Sequence, residues 1–232
     1  MKKIFFFAAA LVAAMTINAE TVVDQIRFTE AAAAGTLVDT VFSGENELID
    51  FEIIDEKEKF TIDKNNAYFG TVEEHEQFTM RLRSNAKSEF VDGKHCQINV
   101  AAYEDGTLNI YVRTGSNSAT DRNIIVAQGS DTLLNEVLLE SNAIEYVVVK
   151  EEKDDTIKIN PVYTIELKKG DYEITFPVGA INFYGFDFSA DVQTAVEDLF
   201  AKKAKAQKII ENGQIFILKE GLKYNLLGTQ VK

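Results

Sequence analysis

Arginine is scarce in this chain. It occurs five times in 232 residues, and four of the five fall between positions 81 and 122: Arg81, Arg83, Arg113 and Arg122. A guanidinium grips a carboxylate with a planar fork of donors, which lysine cannot reproduce. Tyr103 and Tyr111 fall in the same region. A tyrosine ring can stack on a sugar face while its hydroxyl bonds the rim. Arg81, Arg83, Tyr103, Tyr111, Arg113 and Arg122 together would suit an acidic glycan. The competing reading is that these arginines pair with the abundant Asp and Glu, at little net gain.

Other reactive side chains make no constellation. His95 and Cys96 are adjacent, but neighbours on a strand point to opposite faces and cannot act as base and nucleophile. His75 lies in the polar stretch "VEEHEQ", and two isolated His with one Cys match no zinc pattern. The sequence holds no Gly-x-Ser-x-Gly and no Walker-type loop. Carboxylates are plentiful, yet nothing selects the pair that glycoside hydrolysis needs. The acidic runs "EEHE" and "EEKDD" lack the EF-hand pattern, which leaves room for a structural calcium gathered from separate loops. No other cofactor and no enzymatic activity are expected.

The elements that carry these residues alternate with period two. "QFTMRLR" (77–83) puts Phe78, Met80 and Leu82 on one face and Thr79, Arg81 and Arg83 on the other. "HCQINVAAY" (95–103) turns Cys96, Ile98 and Val100 inward, and "TLNIYVR" (107–113) does the same with Leu108, Ile110 and Val112. Turn signals separate the runs: "DG" at 92–93, "EDG" at 104–106, "QGSD" at 128–131 and "KKGD" at 168–171. "VYTIELKKGDYEITFPV" reads as a hairpin about Gly170. Many short strands at such spacing predict an all-β, two-sheet antiparallel sandwich. Hydrophobic residues make up 46% and Phe occurs 16 times with no Trp, so Phe, Ile, Val and Leu must fill the core. Cys96 is the only cysteine, so no internal disulfide staples the fold.

The first residues, "MKKIFFFAAALVAAMTINAE", read as a secretory signal: Lys2 and Lys3, an apolar run from Ile4 to Met15, and a cleavage site closed by Ala19. Losing those two Lys takes the formal charge from −13 to −15. Such an acidic chain is not expected to bind nucleic acid or an anionic membrane. No later run is long enough to insert in a bilayer. An exported protein follows, periplasmic, cell-surface or extracellular. The expected organisation is a signal peptide at 1–19, the sandwich at 20–188, a helical linker at 189–208 and a three-stranded meander at 209–232. Val192, Val196, Leu199 and Phe200 carry the helical spacing of the linker, and Asn212-Gly213 marks a meander turn.

"FTIDKNNAYFG", "FTMRLRSNAKS", "EDGTLNIYVRTGSNSATDRN" and "INFYGFDF" resemble a family of secreted Bacteroidetes β-sandwich modules, jelly rolls of carbohydrate-binding type. The resemblance spans roughly residues 45–188 and implies a jelly-roll-like fold with a glycan partner. The tail "ENGQIFILKEGLKYNLLGTQVK" is similar to the C-terminal sorting segments read by type IX secretion machinery, though shorter. "DTV", "DTL" and "DTI" resemble the O-glycosylation acceptor of exported Bacteroidetes proteins, which implies modification at Thr40, Thr132 and Thr156. The expected function is a non-catalytic module binding carbohydrate through an outward Arg/Tyr face. The rival is a structural or adhesion protein whose partner is another surface protein.

Overall fold

The structure is a computed structural model. It describes residues 18–30, 32, 37–38, 40–89, 92–149, 154–194, 207–211, 214–219, 222–225 and 230–231. The expected signal peptide falls almost wholly outside these residues, as does 195–206 of the expected linker.

Residues Thr21–Asp191 form one compact unit, a β-sandwich of an eight-stranded and a six-stranded sheet. The eight-stranded sheet contains β1 (Asn18–Arg27), β4 (Thr61–Gly70), β5 (His75–Arg83) and β7 (Gly106–Thr114). It also contains β10 (Ile144–Val148), β11 (Asp155–Asn160), β12 (Tyr163–Leu167) and β14 (Ile181–Thr194). Its order is β10-β11-β4-β5-β14-β7-β12, with β1 also on β14. The six-stranded sheet contains β2 (Thr40–Ser43), β3 (Ile49–Asp55), β6 (Cys96–Ala102), β8 (Asn123–Gln128), β9 (Asp131–Val137) and β13 (Gly170–Thr175). Its order is β2-β3-β6-β13-β8-β9. The expected antiparallel pattern has one exception: β11 runs parallel to β4, with Ile159 opposite Tyr68. Among the described residues, no helix is long and apolar enough to cross a membrane.

Alternation explains the core. Leu82, Ile98, Leu108, Ile110 and Ile174 are fully buried, each from the inward set of its strand. Phe51 on β3 stacks on Phe186 on β14, with centroids 4.1 Å apart and planes at 18°, and so ties the two sheets. Along β14 the alternation fails, and every residue from Ile181 to Phe186 is buried. A bulge between Phe183 and Gly185 inserts Tyr184, and both faces of the strand are covered. Tyr184 joins Ala67, Phe69, Phe78 and Tyr111 in a second aromatic cluster on the outer side. Gly185 lets β1 come close, since a Cβ there would lie 2.7 Å from the Ile26 carbonyl oxygen.

Two expected local features are corrected. The hairpin about Gly170 does not form, because β12 pairs with β7 in one sheet and β13 pairs with β6 in the other. The link between β6 and β7 likewise crosses from sheet to sheet. These two crossings brace each other: Asp105 accepts from Lys168 Nζ and from the Lys169 backbone N–H, both at 2.9 Å. Residues 189–194, expected to open a helical linker, continue strand β14, with Ser189 opposite Thr107 and Ala190 opposite Gly106. Buried Phe188 and Ala190 keep period two, which outweighs the helical spacing that starts at Val192.

The C-terminal strands form a separate antiparallel sheet of four strands, not the expected three: β15 (Gln207–Glu211), β16 (Gln214–Lys219), β17 (Leu222–Asn225) and β18 (Gln230–Val231). Glu211 pairs with Gln214, so β15 and β16 are joined by two residues, Asn212-Gly213.

Candidate functional site

The six residues expected to share a face do not gather. Arg81, Arg83 and Arg113 do lie in one sheet, where β14 separates β5 from β7 and Asn182 stands in register between Arg83 and Arg113. Arg81 forks onto Asp63, Nε to Oδ1 at 2.6 Å and Nη2 to Oδ2 at 3.1 Å, and that bond raises its pKa. Arg113 Nη2 lies 3.6 Å from Glu140, which also takes Lys158 Nζ at 3.3 Å. Arg83 is exposed and makes no ion pair among the described residues. Arg122 donates to the Ala180 carbonyl at 2.5 Å and clasps the chain ahead of β14.

The tyrosines part company. Tyr111 is buried, 4.7 Å from Phe78, and its hydroxyl donates to Asp187 at 2.7 Å. Burial first, then that bond, pushes its phenol upward in pKa. Tyr103 follows β6 and therefore belongs with the other sheet, where its hydroxyl donates to Asp50 at 2.6 Å. The physical reasons are two. The strands on either side of residues 103–105 occupy different sheets, and acids neutralise Arg81 and Arg113.

A groove of about 480 Å³ lies on the outer face of the six-stranded sheet. It is built by strands far apart in sequence. One row across β3, β6, β13 and β8 holds Glu52, Asn99, Glu173 and Ala127 in register. The next holds Asp50, Ala101 and Asp171. Small Ala101 keeps the floor low between the longer side chains of Asp50 and Asp171. The polar groups are ordered: Asn99 Nδ2 donates to Glu52 at 3.0 Å, and Gln97 Nε2 donates to Asn99 Oδ1 at 2.7 Å. The exposed carboxylates of Asp171 and Glu173 have no hydrogen bond or ion pair among the described residues. Tyr103, half exposed, lines an adjoining hollow that shares Asp50 with the groove, its pKa raised by the bond to Asp50. The groove therefore offers many acceptors and a few fixed amides, with the Tyr103 ring in the hollow beside it. The acids and amides are outward residues of "DFE", "QIN" and "DYE", and alternation could have marked them as outward. It could not have marked them as neighbours.

Cys96 is fully buried, and burial followed by contact with Asp55 pushes its thiol up to about 11. His95 turns the other way, with Nδ1 2.7 Å from Glu56. A thiol reagent at pH 8 is therefore expected to leave the native protein unlabelled while labelling it fully in denaturant; rapid native labelling would contradict the burial. His75 is exposed, its ring beside Tyr68 and Tyr146 at 5.9 and 6.1 Å. Among the described residues, no group of three His, Cys, Asp or Glu could hold a metal ion. Thr132 and Thr156 are exposed on β9 and β11, and Thr40 is half-buried on β2.

No protein-family model matches the chain, and no curated protein matches it. Among solved structures it is similar to the K1 cleaved adhesin domain of Lys-gingipain from Porphyromonas gingivalis W83, at 9% identity over 75% of this chain and 99% of that one, with a TM-score of 0.36. It is also similar to the K3 cleaved adhesin domain of the same protein, at 13% identity over 57% of this chain and 92% of that one, with a TM-score of 0.30.

Proposed function

We propose that the chain is an exported, non-catalytic surface module that binds neutral carbohydrate through the outer face of its six-stranded sheet. One observation carries the reading: the registered rows of Glu52, Asn99 and Glu173 and of Asp50 and Asp171 over an alanine floor. Sugar hydroxyls donate and accept at once. Carboxylates take their protons in charge-assisted bonds, and the amides return donors. Four carboxylates on one face repel a polyanion, which favours neutral glycans over uronates. Tyr103, in the adjoining hollow that shares Asp50, supplies a ring for stacking.

The test is a panel of neutral and acidic polysaccharides with titration calorimetry on the hits. Asn99→Ala/Glu173→Ala is expected to weaken binding of a neutral glycan about tenfold or more, while Arg83→Ala/Arg113→Ala leaves it unchanged. Binding of an acidic glycan that is lost with the arginine pair instead would move the site to the other sheet and refute this assignment.

A further inference from the structure

Among the described residues, five strands of the sandwich have an unpaired side, and four of them are guarded. Strand β1, which pairs only with β14, turns the charged Asp24 inward and has its Val23 carbonyl covered by Asn46 Nδ2. Strand β2 is only four residues long. Strand β9 is bulged where Val126 and Ala127 lose register. Strand β12 exposes Glu166 and is followed by exposed Lys168 and Lys169. Short edges, bulges and charges are the devices that keep sheets from pairing edge to edge. Strand β10 is weakly guarded: it has no bulge, its one charge is Glu145, and the residue that follows it is the exposed apolar Val149. It reads "IEYVV", keeps an unbroken ladder with β11, and has no other partner among the described residues. Its apolar side chains stand in solvent: Ile144 is 51% exposed, Val147 50%, and Val149 just beyond it 81%.

We propose that β10 is a self-pairing edge, and that a second copy of this chain adds its own β10 antiparallel across a two-fold axis at Tyr146. The strand is complementary to itself in that register. Ile144 faces Val148, Glu145 faces Val147, and Tyr146 faces Tyr146. The strand carries one acid, and this register keeps it opposite a valine rather than its own copy, so no like charges meet. An isologous pairing of this kind closes after two copies. A cationic peptide is the poorer occupant, because Glu145 alone gives it little to hold. The dimer stands independently of the glycan assignment. Where both hold, two grooves are joined and a repeating polymer gains avidity.

The test is sedimentation equilibrium of the full chain from micromolar to hundreds of micromolar, with two substitutions at half-exposed Val147 that the monomer should tolerate. In Val147→Glu the new acid faces Glu145 of the second copy, twice per pair, and dimerisation is expected to weaken about tenfold or more. In Val147→Lys the new base faces the same Glu145, and dimerisation is expected to persist or tighten. Unfolding midpoints in urea check that both variants fold. A wild-type chain that stays monomeric throughout, assembly beyond two copies, or equal weakening by both substitutions would overturn the proposal.

Discussion

Replacing Arg27 by alanine is expected to lower folding stability by about 3 kcal/mol, read as a fall in the urea midpoint at unchanged slope. Arg27 is the arginine outside the cluster at 81–122, and it ties three elements together. Its Nε and Nη2 fork onto Glu76 at 3.2 and 3.1 Å, and its Nη1 donates to Asp187 at 2.6 Å. The guanidinium also lies 4.9 Å from the Phe78 ring and 5.1 Å from Tyr111. Burial works against its charge, but the bonds to Asp187 and Glu76 outweigh that and leave its pKa raised. Its side chain is 26% exposed, so the expected cost sits at the lower end for a broken buried pair. Arg27→Lys should recover little, because an ammonium cannot fork onto Glu76 and reach Asp187 together. Full recovery by lysine would mean that charge alone matters at this position.

Asp24→Ala is expected to cost a similar amount, about 3 kcal/mol, for a different reason. The carboxylate is 1% exposed on β1 and accepts from the backbone N–H groups of Asn46 and Leu48, both at 2.7 Å. It also takes Asn46 Nδ2 at 3.0 Å. It thus fastens a strand of one sheet to the β2–β3 turn of the other. Without it, two backbone donors in a part-buried turn lose their acceptor. Asp24→Asn should fall between, since an amide accepts on one side only. A Cβ on Gly44 would lie 2.1 Å from the Asp24 carboxyl carbon, so Gly44→Ala alone should also destabilise. The double variant Asp24→Ala/Gly44→Ala should cost less than the sum, because the carboxyl atoms 2.1 Å from the new methyl are gone, although the alanine at 24 keeps the Cβ that lies 2.5 Å from it. Strict additivity would show that the two side chains do not share that space.

The inward faces of β5, β6 and β7 were largely legible in the sequence. Met80 and Leu82 are buried, as are Cys96, Ile98 and Val100, and Leu108, Ile110 and Val112. Phe78, read with Met80 and Leu82, is buried instead in the cluster that holds Tyr111 and Tyr184. Period two is a local property, and a packed core rewards it residue by residue. Arg83 was rightly read as an outward residue on the same pattern. Tyr111 also sits on an outward position, yet it is buried, because the outer side of its sheet carries an aromatic cluster of its own. No period within β7 reports what covers its far face.

By itself, then, the amino-acid order determined an all-β chain with strands of known inward faces and a core of Phe, Ile, Val and Leu. Tertiary structure alone decided which strands are neighbours. A short turn after alternating residues looks the same whether the chain doubles back within a sheet or steps across to the other. At residues 103–105 and 168–169 it steps across. That choice sends Tyr103 away from the arginines and sets Glu52, Asn99 and Glu173 side by side, although some seventy residues separate Asn99 from Glu173. Register between distant strands is set by the free energy of the whole core, and no stretch of local sequence records it.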